Sequence, residues 1–415
     1  MRRRRALLIV AAPTTRPPRI VAPDVARGLA LFGIAWANIP SWASTDSSLA
    51  GATFGGVGPG GTLDQIAVVL SAMFAHVRGL PMFSTLLGFG VGLITVSLWR
   101  RAYPAGAAQA TLAKRYGILA GIGALHCLFL FFGDIIFLYS MLALVLIAMI
   151  RLSDKTLLII AGVLYSLHLL VTLGGMALSG SMDLSKDMSI AESYPGYLLF
   201  NVVALVAYLF TVPISGLSIL PLMILGFVAA RRGVHLRPEA HLRLLRSWVA
   251  ATVAVVLLIG LPLGLSAIGV LPTGWETYLS GLNEALGFLC GPGIASAVLL
   301  ACRSLQRKVD SGDPSRSLPL TMVTALGKRS MSGYLLQSVI FFVVCLPFTL
   351  GIGSQVGALG QMLMALGVWA LTVLAAWVCE LAGRNGPVEA LHRRLSYGRD
   401  GLPARYGQMA VNERR

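Results

Sequence analysis

The sequence predicts an all-α fold, a polytopic bundle of transmembrane helices with both termini on the cytoplasmic side. Composition is the first observation. Of the 415 residues, 56% are hydrophobic and only 12% are charged, whereas a soluble domain carries about 25% charged residues. Mean hydropathy is +0.78. Second, apolar runs of about 20 residues recur from end to end. They are continuous rather than alternating, which excludes an outer-membrane barrel. Third, Lys and Arg cluster in alternate loops, as the positive-inside rule requires.

Taken in order, the runs give about ten spans. Span 1 is expected over Arg27–Ser44, followed by a Gly-rich loop without Lys or Arg up to Asp64. The region Gln65–Trp99 is too long for one span, and Arg78, Gly79 and Pro81 break it. A short amphipathic or re-entrant piece is therefore expected first, then span 2 over Leu80–Trp99. Span 3 is Tyr116–Phe132, span 4 Ile135–Ile150 and span 5 Thr156–Leu178. The polar loop Ser179–Pro195 follows. Tyr197–Ala230 is again overlong and contains Pro213 and Pro221, so an interfacial helix is expected before span 6, which ends near Ala230. Span 7 is Trp248–Ile268, span 8 Leu279–Cys302, span 9 Met331–Leu350 and span 10 Val356–Leu381.

With the amino terminus inside, all 33 Lys and Arg fall on the cytoplasmic side except two, Arg78 and Lys186. This placement explains the net charge of +16 by contact with anionic lipid rather than nucleic acid. Three regions result: a basic cytoplasmic tail over 1–26, a membrane domain over 27–383 and a second basic tail over 384–415. The start, Met-Arg-Arg-Arg-Arg-Ala-Leu-Leu-Ile-Val-Ala-Ala-Pro, imitates a signal peptide but has a short apolar part and no small-x-small cleavage site. The location expected is the bacterial cytoplasmic membrane. The five cysteines lie in or beside apolar runs without metal-ligand spacing, and read as small buried hydrophobes. Gly117/Gly121 and Gly88/Gly92 have the small-xxx-small spacing of close helix contacts.

Candidate chemistry centres on the tight turn between spans 3 and 4. His126 and Asp134 lie in it, and an ionisable group inside a membrane run is costly enough to read as functional. His126 suits a general base and Asp134 its orienting partner; Asp134 equally suits the N-cap of span 4. Arg78 is a candidate ion-pair partner for Asp134. By depth alone, Asn38, His76, Arg78, His126, Asp134 and Glu284 can share one extracytoplasmic pocket. Asp24 and Arg27 sit at the cytoplasmic mouth of span 1, where a cap and an ion pair are the plain reading. His235 and His241 lie in a basic loop and read as solvated.

Several segments resemble the bacterial YeiB-type membrane family, a family of unknown function. They are Pro23-Asp24-Val-Ala-Arg27 through Asn38, Met82 through Gly92, Gly123-Ala-Leu-His126 with Gly133 through Tyr139, and Pro221 through Gly226. Gly327 through Tyr334, Gln337 and Ser338, and Gly386 through Gly398, complete the set. That family is distantly similar to membrane acyltransferases, including the heparan glucosaminide acetyltransferase branch, which begin their first span with Asp-x-x-Arg. In one branch a catalytic His follows that Arg by eleven residues; Arg27 is followed here by Asn38 at that spacing. The resemblance thus implies an acyltransferase-like protein that moves an acyl group from a cytoplasmic donor to an extracytoplasmic acceptor. His126 and Asp134 would be catalytic, and Asp24, Arg27, Asn38, Arg78, Arg115, Tyr334 and Gln337 would contact substrates. Acyl-CoA is the donor expected, with no bound cofactor and no metal. The expected partners are membrane lipids and a small-molecule or glycan acceptor. A small-solute transporter and a non-catalytic membrane interaction protein are the alternatives.

Overall fold

The computed structural model describes residues 20–43, 45–179, 192–272, 274–311 and 317–406. The basic amino-terminal segment, Lys186 and the polar loop around it lie outside the described residues. The described residues are helical throughout and contain no strand.

The amino-terminal half builds the framework of the site. Helix α1 (Ala22–Trp42) starts with Pro23 in its first turn, where a missing amide costs nothing. Helix α2 (Thr62–Phe74) is anchored by Asp64, whose carboxylate accepts from the amides of Gly58, Gly60 and Leu359. A turn with Val77 at φ 54° separates it from α3 (Gly79–Arg100), so the expected break is present. Helix α4 (Ala105–Phe129) and α5 (Ile135–Ala148) form the hairpin around the turn at Gly133. Gly123 makes that hairpin close, because a Cβ there would overlap the Phe137 amide.

Helix α6 (Asp154–Ser179) leads to α7 (Tyr194–Arg231), one unbroken helix of 38 residues with Pro213 and Pro221 inside it. This corrects the expected interfacial helix plus span. In an apolar environment the chain loses more by exposing a broken turn than by forgoing one hydrogen bond per proline. Helices α3 and α7 form the most extensive helix pair. A Cβ on Gly88 would overlap the Met223 carbonyl, and one on Gly226 would overlap Thr85 O. Gly92 packs likewise on Phe227 and Ala230, whereas Gly117 and Gly121 face open space. Of the two glycine pairs, only Gly88/Gly92 is therefore a packing motif.

Helix α8 (Leu242–Val255) runs through a π turn at Val256–Gly260 into α9 (Leu261–Ala267). The single span expected over Leu279–Cys302 is present as one helical segment, 274–301, in which α10 (Gly274–Leu286) passes through a 3-10 turn at Gly287–Leu289 into α11 (Cys290–Ala301). Short α12 (Arg303–Asp310) and α13 (Leu318–Lys328) precede α14 (Ser330–Cys345) and α15 (Ala358–Leu381). Helix α16 (Pro387–Tyr397) packs back on α4 and α14, with Glu389 accepting from the Met331 and Ser332 amides and His392 bonded to Arg115 O.

Six helical segments are long and apolar enough to cross a membrane: 62–100, 154–176, 194–231, 238–267, 274–301 and 358–381. Helices α5 and α14 are apolar but shorter. At 1.5 Å per residue α5 spans about 21 Å, less than the ~30 Å hydrocarbon core. It is sheathed by protein: Ile135 through Ser140 are all buried. The chain is a multi-pass helical membrane protein.

Candidate functional site

The hairpin of α4 and α5 places two ionisable side chains in contact inside the bundle. His126 Nδ1 lies 2.6 Å from Asp134 Oδ2, and both residues are buried. Asp134 also caps α5, its Oδ1 accepting from the Phe137 amide at 2.6 Å. The cap and the partner of His126 are therefore the same carboxylate. With Asp134 as a carboxylate acceptor, Nδ1 is the donor and Nε2 points away from Asp134. Nε2 is buried without a hydrogen-bond partner among the described residues.

Tyr334, from distant α14, completes the group. Its ring centroid is 5.1 Å from that of His126. Its hydroxyl approaches the amide end of α5 at Ile135, beside Asp134, without closing a hydrogen bond. Aromatic residues shield this end of the bundle: Trp42 stacks on Phe131 at 4.3 Å, and Phe341 and Tyr197 are also buried. The carbonyls at the end of α4 are satisfied by α7, since Asn201 Nδ2 donates to Leu128 O and Tyr197 Oη to Leu130 O. On the far side Tyr139 Oη donates to Leu80 O at 2.7 Å and meets Ser84. A buried imidazole held by a carboxylate, with its second nitrogen open, is arranged to accept a proton.

Arg78 does not join this group. Its Nη2 donates to Asn283 Oδ1 at 2.7 Å, Nε to Met73 O and Nη1 to Val77 O. Asn283, not Asp134, is its partner, because the turn at Val77 points Arg78 toward α10 and across the end of α2. His76 pairs with Glu284 at 3.3 Å. Of the six residues placed together by depth, His126 and Asp134 form one group, His76, Arg78 and Glu284 lie in a second, and Asn38 joins neither. Asn38 is half-buried on α1 and makes no side-chain hydrogen bond among the described residues.

At the opposite, basic end Asp24 pairs with Arg27 at 3.5 Å, as expected. Arg27 and Arg115 both lie within electrostatic reach of Tyr116. Arg115 also donates to Tyr397 Oη and lies over its ring, which fastens α16. Gln337 is buried 3.5 Å from Thr372 Oγ1. Glu380 binds Lys328 and, at 2.6 Å, Arg329. His235 is not solvated: it sits edge-on to Phe89, and burial with nearby Arg100 lowers its pKa to about 4. No group of three or more metal-ligating side chains exists among the described residues.

Sequence reasoning missed Asn283, Asn201, Tyr197 and Glu380. Each is a polar side chain within an apolar run, which is the same signal that exposed His126.

Residues 229–399 match the family described as "Protein of unknown function (DUF418)". The carboxy-terminal part of the chain is similar to that family. The matched stretch runs from the end of α7 to just past α16 and includes Tyr334 and Gln337 but not the hairpin. The chain is also similar to the uncharacterized protein YxaH of Bacillus subtilis (strain 168), with 26% identity over 426 residues, covering 93% of this chain and 96% of the relative. No solved structure matches.

Proposed function

We propose that this protein is an acyltransferase-like membrane enzyme of the bacterial cytoplasmic membrane, with about ten crossings and His126 as general base. The observation that carries the reading is the buried His126–Asp134 pair with its open Nε2 beside Tyr334. In the reaction Nε2 takes the proton of an acceptor hydroxyl or amine, and the acceptor atom bonds to the acyl carbonyl carbon. The carbon–sulfur bond of an acyl-CoA donor breaks, and the departing thiolate takes the proton back from the imidazolium. Asp134 holds the ring and stabilises its transient charge, and Tyr334 Oη is positioned to donate to the developing oxyanion. Arg27 and Arg115, at the basic end, suit the phosphates of the donor.

The test is acyl-CoA binding by thermal shift in detergent. Saturable stabilisation is expected for wild type and His126→Ala and is lost in Arg27→Ala. A folded wild type that no acyl-CoA stabilises, whatever its chain length, overturns the reading.

A small-solute transporter is the second reading. It is favoured by the buried Arg78 between a broken helix and the π turn, where Gly260 lies against the guanidinium.

A further inference from the structure

A second feature lies away from the hairpin. A cavity of about 340 Å³ opens near the basic end between α1, α3, α6, α7, α8 and α11. That volume is in the range of small-molecule sites, about 300–1,000 Å³. Its walls are almost wholly apolar, with Leu86, Leu225, Leu245 and Leu299 among them, and small Ala26 and Ala295 leave the space. Thr85, also in the wall, already donates its hydroxyl to Pro81 O.

The charged and imidazole groups lining the cavity are at one end, Arg232 and His235. Arg231 and Arg232 share one carboxylate, Asp154, at 2.7 and 2.9 Å, and Arg100 lies near His235, so this corner is net positive. His235 Nδ1 is buried without a hydrogen-bond partner among the described residues, and its ring lies edge-on to Phe89. Trp248 lines the same cavity at the start of the apolar part of α8, the depth that favours Trp at a membrane interface.

We propose that this cavity binds one long-chain fatty acid, its carboxylate between Arg232 and His235 and its chain along α3, α7 and α11. The volume suits one chain rather than the two of a phospholipid. The apolar walls offer no polar partners for the nucleotide of a coenzyme A thioester. A carboxylate also has two acceptor oxygens for the two donors present. The site is independent of His126 and extends the functional reading rather than resting on it.

The experiment uses the full chain in nanodiscs of zwitterionic lipid and palmitate carrying a terminal diazirine. After irradiation, adducts are mapped by mass spectrometry. Saturable adducts on α3, α7 and α11, displaced by unlabelled palmitate, are expected. Arg232→Gln removes a charge-assisted hydrogen bond and raises the half-saturating concentration about ten-fold. Ala295→Trp fills the cavity and abolishes labelling; Leu299→Trp serves if that variant is not monodisperse. His126→Gln labels like wild type, so loss of acyl transfer and loss of this site are separable. Adducts confined to lipid-facing positions, or labelling undiminished in a filled-cavity variant that is monodisperse, overturn the proposal. So does displacement by palmitoyl-CoA or anionic phospholipid at lower concentration than by palmitate.

Discussion

At Asp134 one carboxylate has two partners, the Phe137 amide and the His126 imidazole. The two roles separate by substitution. Asp134→Asn keeps an oxygen for the cap but removes the charge that orients the ring, so activity falls while stability changes little. Asp134→Ala loses the cap, about 1 kcal/mol, and strands the imidazole N–H, about 1–3 kcal/mol more. Thermal unfolding of the two variants beside wild type measures the difference. Two other histidines give a pH dependence. His235 and His392 are both pushed down to about 4, chiefly by burial. A folded-state pKa below the unfolded value near 6.5 makes the unfolded chain the stronger proton binder between those limits. Stability is therefore complete above about pH 6.5 and declines toward pH 4. A melting temperature that is flat between pH 7 and pH 5 contradicts this, and His392→Gln should shallow the slope. His126 and Asp134 were legible in sequence because a titratable group in an apolar run stands out. The approach of Tyr334 was not legible by spacing, since α14 reaches the hairpin only through tertiary packing.

At the scale of elements, glycine decides how close α3 and α7 come. Gly88→Leu and Gly226→Val push side chains into backbone carbonyls and should abolish monodisperse protein on size-exclusion chromatography. Gly117→Ala and Gly121→Ala meet open space and should be neutral, or stabilising by up to about 1 kcal/mol. The sequence pattern was the same in both pairs; only the neighbouring helix distinguishes them. The long α7 was misjudged for a related reason. Proline signals a break in water, but the surrounding apolar medium offers the broken turn no replacement partner. The turn before α3 was legible, because Arg78, Gly79 and Pro81 fall together. Its partner was not: Asn283 comes from α10, and its second amide group has no partner of its own. Asn283→Leu leaves a buried guanidinium short of an acceptor and should cost about 1–3 kcal/mol, read as a lower melting temperature.

For the whole molecule, the Lys and Arg asymmetry implies that the basic end faces the cytoplasm. Four of the five cysteines are buried, so a Cys379→Ser background suits surface labelling. In intact cells a membrane-impermeant thiol reagent should modify Ser48→Cys, in the loop after α1, and leave Ser311→Cys untouched until lysis. The reverse pattern contradicts the orientation. Composition made the membrane class plain and the hairpin marked the candidate site, while the fatty-acid cavity had no sequence signal, because its walls come from six separate helices. The central claim is that His126, held by Asp134, removes a proton during acyl transfer. Its most direct measurement is thiol release from acyl-CoA by the full chain in nanodiscs supplied with a membrane extract as acceptor source. Wild type should release coenzyme A, and His126→Gln and Asp134→Asn, equally monodisperse, should be slower by about 10²–10⁴-fold. Release at the wild-type rate by His126→Gln, or none by a folded wild type across short and long acyl chains, would contradict it.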